Sequence, residues 1–222
     1  MVHGEQLSGL RAAAGDFGQR EFHSCIFSSC FVAPPTDMAR RVRLHDLRLE
    51  QCTHRDCWLH GARIEEVTVR TLKREGDIPL FLYGCFFRHV TLEGRISSLL
   101  VKPHVYDSGT GEPHMPLWHH NRLLYESGDW ALDISLATFG GVVTFPGIPP
   151  ALVRRDSASQ FALCPKAAES ILSRYPRTIW SVVAKDVLES GSEGTVMAVG
   201  TARSASRELH EAKRLFTEGL LQ

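Results

Sequence analysis

The sequence lacks an excess of charge of either sign. Lysine and arginine together number 25, as do aspartate and glutamate, so the formal net charge is +0. The chain up to Lys102 holds 14 basic and 12 acidic residues, and the remainder holds 11 and 13. Domains that bind nucleic acid or an acidic membrane usually carry a larger basic excess. We therefore find no strong nucleic-acid signal, and the basic cluster "RRVR" at 40–43 is interpreted as a solvated loop.

The sequence also lacks an apolar run close to the roughly 18 to 20 residues that a membrane-spanning helix needs. Its first residues, "MVHGEQLSGLRAAAG", have neither the basic start nor the long apolar centre of a secretory signal. We expect a cytoplasmic protein in a reducing compartment, with no membrane partner. The six cysteines are then expected to be thiols, because disulfides are rare in such compartments.

Catalytic motifs are missing as well. The second half of the chain has no nucleophile elbow, no phosphate-binding glycine loop and no paired-carboxylate arrangement. Cys164 precedes Pro165 and would lie at a helix amino terminus, where the helix dipole lowers the pKa of a thiol. A nucleophile there would also need a base, which the sequence does not identify. We predict no catalytic residue and no cofactor, and we favour a protein that is not an enzyme.

What the chain has instead is a five-residue recurrence, clearest in "EFHSCIFSSCF" at 21–31. Residues five apart fall on opposite faces of a strand and about 140° apart on a helix, so neither element explains the step. The central residues of the steps are Phe17, Phe22, Phe27, Val32, Leu49, His54, Leu59, Ile64, Val69, Leu82, Phe87 and Leu92. The residues two positions before the centres form a second set, whose members are often smaller. This second set includes Cys25, Cys30, Cys52, Cys57 and Cys85.

This pattern resembles the pentapeptide-repeat family over roughly residues 17–97. The resemblance implies a right-handed, four-sided β-solenoid in which the central residue and the residue two before it point inward. The segments 33–43 and 73–79 would be loops between coils. A helical turn around Leu7 and Leu10 would cover the first coil. The central position of His54 would bury this histidine, which would then need hydrogen-bond partners.

The remainder of the chain has other periodicities. Alternation over 130–137 predicts a strand, followed by a hairpin at Gly140 and Gly141 into "VVTF". Pro165 predicts the start of a helix that extends to about Arg174. Strands are predicted at 178–188 and 195–202, and an amphipathic helix closes the chain with one apolar face. That face carries Leu209, Ala212, Phe216 and Leu220.

The predicted fold class is therefore mainly β with α+β. A short pentapeptide-repeat-like β-solenoid with an amino-terminal cap, residues 1–101, precedes a connecting loop rich in histidine, proline and glycine, residues 102–129. A small antiparallel domain of ββαββα type follows over 130–222, with two helices on one face of a four-stranded sheet.

Cysteine and histidine also raise the question of a metal site. The pairs in "HSCIFSSC" and "CTHRDC" have C-x4-C spacing rather than the C-x2-C spacing of a zinc knuckle, so we assign these cysteines to core packing. The loop at 104–120 carries four histidines near Asp107 and Glu112. We interpret it as a linker or contact loop, with a metal or acid–base site as the alternative. The four histidines are His104, His114, His119 and His120.

We predict a non-enzymatic protein-protein interaction protein, a scaffold or adaptor, whose rigid faces bind another protein. Trp58 leads the predicted contacts, because an exposed tryptophan is a frequent interface anchor. The full set is Arg48, Arg55, Trp58, His60, Arg63 and Arg88.

Family habit suggests a bacterial multiprotein or defence assembly. Two alternatives stay open. One is a small metal-dependent hydrolase that uses the loop at 104–120 with Asp107, Glu112 or Asp129. The other is a DNA mimic that binds type II topoisomerases, a role that some members of the family have. The 12 basic and 10 acidic residues within 17–100 argue against such a mimic, which would be strongly acidic.

Overall fold

Short parallel strands make up the first half of the protein. The computed structural model describes residues 1–35, 37–107, 109–200 and 205–222. The strands of the first half are β1 (Val2–His3), β2 (Gln6–Ser8), β3 (Arg11–Ala12), β4 (Asp16–His23), β5 (Ile26–Ser28), β6 (Phe31–Val32), β7 (Arg43–Arg55), β8 (Trp58–His60), β9 (Arg63–Arg74), β10 (Leu80–Tyr83), β11 (Phe86–Arg88), β12 (Val90–Ile96) and β13 (Leu99–Lys102). A short 3-10 helix, Met38–Arg40, lies before β7.

Left-handed backbone residues recur at a five-residue spacing in this half. Nine of them are not glycine and have φ between 50° and 57°: Gln19, Ser24, Ser29, Asp46, Gln51, Asp56, Glu66, Thr71 and His89. Glycines at positions such as 61 and 84 continue the same spacing with φ of 66° and 60°. The chain changes direction at each of these residues. The five-residue recurrence in the sequence thus coincides with regularly spaced corners of the backbone.

The strands pair in parallel into two sheets. The larger sheet has ten strands and follows the order β1-β4-β7-β9-β12 in this half, and the smaller has five strands in the order β13-β10-β8-β6-β3. Central residues of the five-residue steps pair with one another: Phe22, Leu49, Val69 and Leu92 in the larger sheet, and Val32, Leu59 and Leu82 in the smaller, where Leu82 also pairs with Val101. Adjacent strands lie about 4.8 Å apart, so these apolar side chains stack in rows.

The second half combines helices with shorter strands. Its helices are α1 (Met115–Glu126), α2 (Pro165–Arg174), α3 (Ile179–Glu189) and α4 (Ala205–Thr217). Its strands are β14 (Leu132–Phe139), β15 (Val143–Thr144), β16 (Val153–Arg154), β17 (Gln160–Leu163) and β18 (Thr195–Ala198), and a second 3-10 helix spans Pro150–Leu152. β14 and β16 continue the larger sheet in parallel after β12, whereas β15, β18 and β17 form a three-stranded antiparallel sheet. Within the described residues, no helix is long and apolar enough to cross a membrane.

The three-stranded sheet is buried on both faces and separates two hydrophobic cores. Alternate residues of a strand point to opposite faces. Ala162 of β17 and Val196 of β18 belong to the core of the parallel strands. Phe161 and Met197, their neighbours in the chain, belong to a second core formed with α2, α3 and α4. One sheet therefore serves as the common wall of both cores.

The predicted fold class, a short β-solenoid followed by an antiparallel ββαββα domain, is wrong. The structure consists mainly of parallel sheets with four α-helices in its described part, and the larger parallel sheet continues into the second half. Antiparallel strand pairing is confined there to three short strands. The expected hairpin after β14 does not form, because β14 pairs with β12 and β16, and β15 pairs with β18.

Two further elements differ from the sequence predictions. The segment 178–188, predicted as a strand, is helix α3, in which Trp180, Val183, Ala184 and Val187 are buried at helical spacing. Thr178 caps this helix by accepting a hydrogen bond from the backbone N–H of Ser181 at 3.3 Å. The expected amino-terminal helical turn is absent in the described residues around Leu7, which lies in strand β2.

Other elements agree with the predictions. The helix that begins at Pro165 and ends at Arg174 is confirmed, as are a strand in the region of 130–137 and the carboxy-terminal helix. The last helix buries Leu215, whereas Phe216 on the predicted face is half exposed. The predicted strand at 195–202 is confirmed for β18 through Ala198, and its positions 201–202 lie outside the described residues.

Candidate functional site

An aromatic patch covers the outer face of the smaller parallel sheet. Val32 and Leu82 point inward and are buried. Their neighbours in the chain point outward, because successive side chains of a strand alternate between faces. Strand pairing aligns these outward residues across β6, β8 and β10. We define the aromatic patch as Phe31, Trp58, His60, Phe81 and Tyr83, all of which are partly exposed.

The rings of the aromatic patch contact one another closely. Trp58 and Phe81 stack with 5.6 Å between ring centroids and 3° between planes, and His60 and Tyr83 stack at 5.4 Å and 9°. Phe31 meets His60 edge to face at 5.3 Å. Pairs of this kind contribute about 0.5–1.5 kcal/mol beyond the area that they bury. The rings also shield one another, so each is only partly exposed although the row as a whole lies at the surface.

The aromatic patch carries little charge at neutral pH and has a cation at each edge. Burial lowers the pKa of His60, and burial raises the pKa of Tyr83, so both side chains are uncharged. Arg11 pairs with Phe31 at one edge and is exposed. At the other edge Lys102 donates to Asp186 of α3 at 2.6 Å. The patch is therefore an apolar strip with an exposed arginine at one edge and a lysine paired with Asp186 at the other.

Four of the six predicted contacts lie outside this patch. Arg63 and Arg88 surround the buried carboxylate of Glu65, at 2.7 Å and 3.2 Å. Arg48 lies 3.9 Å from Glu50, and Arg55 contacts Glu75 at 3.3 Å and Ser28 at 3.0 Å. The structure brings together only Trp58 and His60, in the aromatic patch, and Arg63 and Arg88, at Glu65.

The histidines of the predicted loop do not converge on one point. His104 is buried and its Nε2 lies 3.1 Å from the carbonyl oxygen of Ser190. His114 caps α1 by accepting from the N–H of Leu117 at 3.2 Å, so the segment expected to be a loop contains a helix. His119 and His120 lie on α1 itself.

The carboxylate of Asp107, near these histidines, has local partners. Asp107 accepts from the backbone N–H groups of Gly109 and Thr110, each at 2.9 Å. In the described part of the chain, no group of three or more His, Cys, Asp or Glu side chains is placed to hold a metal ion. The loop at 104–120 therefore presents no assembled centre for the hydrolase alternative among the residues described.

The cysteines occupy two kinds of environment. All six are free thiols. Cys52 and Cys57 are buried in the parallel-strand region and donate to backbone carbonyl oxygens, Cys52 to Phe22 at 3.5 Å and Cys57 to Phe27 at 3.4 Å. Cys164 is exposed and lies at the amino terminus of α2. Of the paired cysteines, Cys25, Cys52 and Cys57 are buried, in agreement with the core-packing assignment, whereas Cys30 is partly exposed.

Sequence reasoning found Trp58 and His60 but missed the other three residues of the aromatic patch. Phe31 and Phe81 each stand one residue before an apolar centre, as Trp58 does. Their shared position in the five-residue step was therefore the available signal. The carboxylate of Glu65 gave no such signal, because two of its arginine partners, Arg43 and Arg88, lie on neighbouring strands more than twenty positions away.

Comparison of the chain with protein-family models, with curated proteins and with solved structures finds no match. The resemblance to the pentapeptide-repeat family stays a prediction. The functional proposals below therefore rest on the geometry and chemistry of this chain.

Proposed function

We propose that this chain is a non-enzymatic protein-protein interaction protein, a scaffold or adaptor, that binds another protein through the aromatic patch. The observation that carries the proposal is the parallel stack of Trp58 on Phe81 at 5.6 Å on the outer face of a sheet. Tryptophan and tyrosine are over-represented among the residues that contribute most to binding energy at protein interfaces. A β-sheet holds such rings in place, so little conformational entropy is lost on binding.

The edges of the patch favour a partner with an apolar surface flanked by acidic groups. Arg11 is exposed beside Phe31, and Lys102 already shares its charge with Asp186. Charges at the rim of an interface mainly affect association rate and orientation. The apolar centre supplies the affinity, and the cations orient the partner. We place the protein in the cytoplasm, because its thiols suit a reducing compartment.

The test begins with co-purification of the tagged chain from its own cells, followed by identification and quantification of the captured protein. The Trp58→Ala variant is expected to bind the partner with an affinity lower by a factor of about 30 or more, because truncation of an interface anchor costs about 2 kcal/mol or more of binding free energy. Leu136→Ala is the matched control, since Leu136 is 70% exposed and lies on the larger sheet.

Thermal melting of both variants separates loss of binding from loss of folding. The proposal requires Trp58→Ala to remain folded at the assay temperature, and Tyr83→Ala provides a second position in the patch if it does not. Equal capture by the wild type and both patch variants would exclude the aromatic patch as the binding surface.

A further inference from the structure

A cleft lined by arginines lies between the parallel strands and helix α1. Its volume is about 900 Å³, within the range of small-molecule sites, about 300–1,000 Å³. Four arginines and two aspartates contribute to its lining, an excess of two positive charges. His120 of α1 lines its other side. The arginines are Arg40, Arg41, Arg43 and Arg63.

One buried carboxylate holds several of these guanidinium groups. The side chain of Glu65 is fully buried, and it accepts from Arg43 Nε at 2.5 Å and from Arg63 at 2.7 Å. Arg88 lies 3.2 Å from the same carboxylate. Burial alone would raise the pKa of Glu65, but the hydrogen bonds from Arg63 and Arg43 outweigh it and lower the pKa. The single negative charge of Glu65 is thus shared by the three arginines. Their side chains are held in position, and the net charge of the group remains positive.

Arg41 adds a buried cation whose hydrogen-bond partners are all neutral. Only 5% of Arg41 is exposed. Its guanidinium donates to the carbonyl oxygens of Gly61 and Ala62 at 2.7 Å and 3.1 Å, and to Asn121 Oδ1 at 2.8 Å. Burial lowers the pKa of Arg41 to about 10. A buried charge that its neighbours do not balance is costly, and an anion in the cleft would balance it.

The acidic groups of the cleft are already engaged by neighbouring donors. Asp37 accepts from the backbone N–H of Ala39 at 2.9 Å, as the cap of the 3-10 helix. Asp16 pairs with His45 and lies 3.7 Å from Arg43. Arg63 holds Glu65 through one terminal nitrogen, and its Nε is buried without a hydrogen-bond partner. The lining therefore keeps an excess of cationic side chains over acidic ones.

We propose that this cleft binds a phosphoryl dianion, either free phosphate or the monoester group of a small molecule. Guanidinium groups match the oxygens of such an anion through paired, charge-assisted hydrogen bonds. This site shares no residue with the aromatic patch, and the proposal does not depend on the proposed function.

His120 reports on occupancy of the cleft. Burial and the charges of Arg41 and Arg63 lower its pKa, and Asp16, Asp37, Arg40 and Arg43 are the other charged groups of the lining. A bound dianion offsets the arginine charges and raises the pKa of His120. Binding then takes up a proton, so affinity for a probe of constant charge increases as the pH falls.

The experiment is calorimetric titration of the full chain with sulfate, which keeps two negative charges over the working pH range, at constant ionic strength. We expect saturable binding of one sulfate per chain. Arg63→Gln should weaken it about tenfold or more, because it removes a charged donor. Arg48→Gln is the matched control, since Arg48 lies on β7 beside Glu50 and outside the cleft lining. Arg40→Gln, which leaves the contacts of Glu65 intact, is the second cleft variant.

At constant ionic strength, titration of the His120 ring by NMR separates binding in the cleft from general screening by salt. Its pKa should rise with sulfate in the wild type and much less in Arg63→Gln. Inorganic phosphate and methyl phosphate then distinguish the sources: equal affinities indicate free phosphate, and tighter binding of the ester indicates a phosphorylated small molecule. Absence of saturation, or equal weakening in Arg48→Gln and the cleft variants, would overturn the proposal.

Discussion

The two hydrophobic cores of the protein are built on different plans. The core of the parallel strands repeats residues of similar size, such as Cys25 and Cys52 at equivalent positions of adjacent chain segments. The core of the helices contains large side chains of different shape, with Trp180 and Ile171 fully buried beside Phe161. Repetition spreads the stability of the first region over many equivalent contacts. The second region depends on a few side chains with no equivalent.

The largest expected effect tests this dependence on single side chains. Trp180→Ala should lower the free energy of unfolding by about 3–5 kcal/mol, because it opens a cavity in the helical core. Urea denaturation followed by circular dichroism measures the loss. Val182→Ala is the control, since Val182 on the same helix is 59% exposed, and its effect should stay within about 0.5 kcal/mol. A loss below about 1 kcal/mol for Trp180→Ala would contradict the comparison.

The parallel-strand region should be the more sensitive to acid through His54. Burial, with the charge of Arg74, lowers the pKa of His54 to about 4, against about 6.5 in the unfolded chain. Protonation of His54 therefore favours the unfolded chain. The free energy of unfolding should not be affected by this group above about pH 6.5, and should decrease by up to about 3 kcal/mol as the pH falls towards 4. Urea denaturation at several pH values should show a smaller acid loss in His54→Leu. Identical pH profiles would refute the assignment.

His89, at the junction of the two regions, should act in the opposite sense. Its Nε2 lies 2.6 Å from Asp129 and its Nδ1 lies 2.5 Å from Glu66, and these contacts, led by Asp129, raise its pKa. Its contribution is complete below the unfolded pKa and is lost as the pH rises through the folded pKa. His89→Gln should therefore be most destabilised at mildly acidic pH, with a gap to the wild type that narrows as the pH rises.

The smallest expected effect concerns the backbone corners of the parallel-strand region. Thr71 is β-branched and has φ of 57°, a conformation that is costly for such a residue. Thr71→Gly should raise the free energy of unfolding by up to about 1 kcal/mol. Gly94→Ala is the reciprocal change, at φ of 67°, where a Cβ would lie 3.0 Å from Thr71 Oγ1. Gly94→Ala should be destabilising. If Thr71→Gly also proves to be destabilised, the backbone corner at Thr71 is not strained.

Local signals in the sequence identified some elements correctly. Pro165 marked the first residue of α2, because proline suits that position. The strand predicted at 178–188 is wrong: its threonine, isoleucine and valine residues favour a strand, whereas Trp180, Val183 and Val187 recur at helical spacing. In this short apolar run, the spacing of the buried residues indicates the helix, whereas the residue types indicate a strand.

Contacts between distant residues could not be predicted in the same way. Alternation predicted a strand near 132, yet its parallel pairing with β12 depends on a partner 42 positions earlier, at Val90. The arginine cleft likewise depends on α1 packing beside β7 and β9, which brings His120 close to Arg63. Local periodicity carries no information on such pairings, and so the cleft could not be predicted from the sequence.

The pairing of β14 with β12 also has a consequence for the growing chain on the ribosome. Unpaired strand edges are templates for association with other chains. Leu132 of β14, the partner of Val90 of β12, follows it by 42 residues in the chain. When β12 leaves the ribosome, this partner has therefore not yet emerged. The edge of β12 therefore stays open for the time that this stretch takes to be translated. The nascent protein is most prone to aggregate in that interval, and a chaperone that binds it then would have the greatest effect on yield.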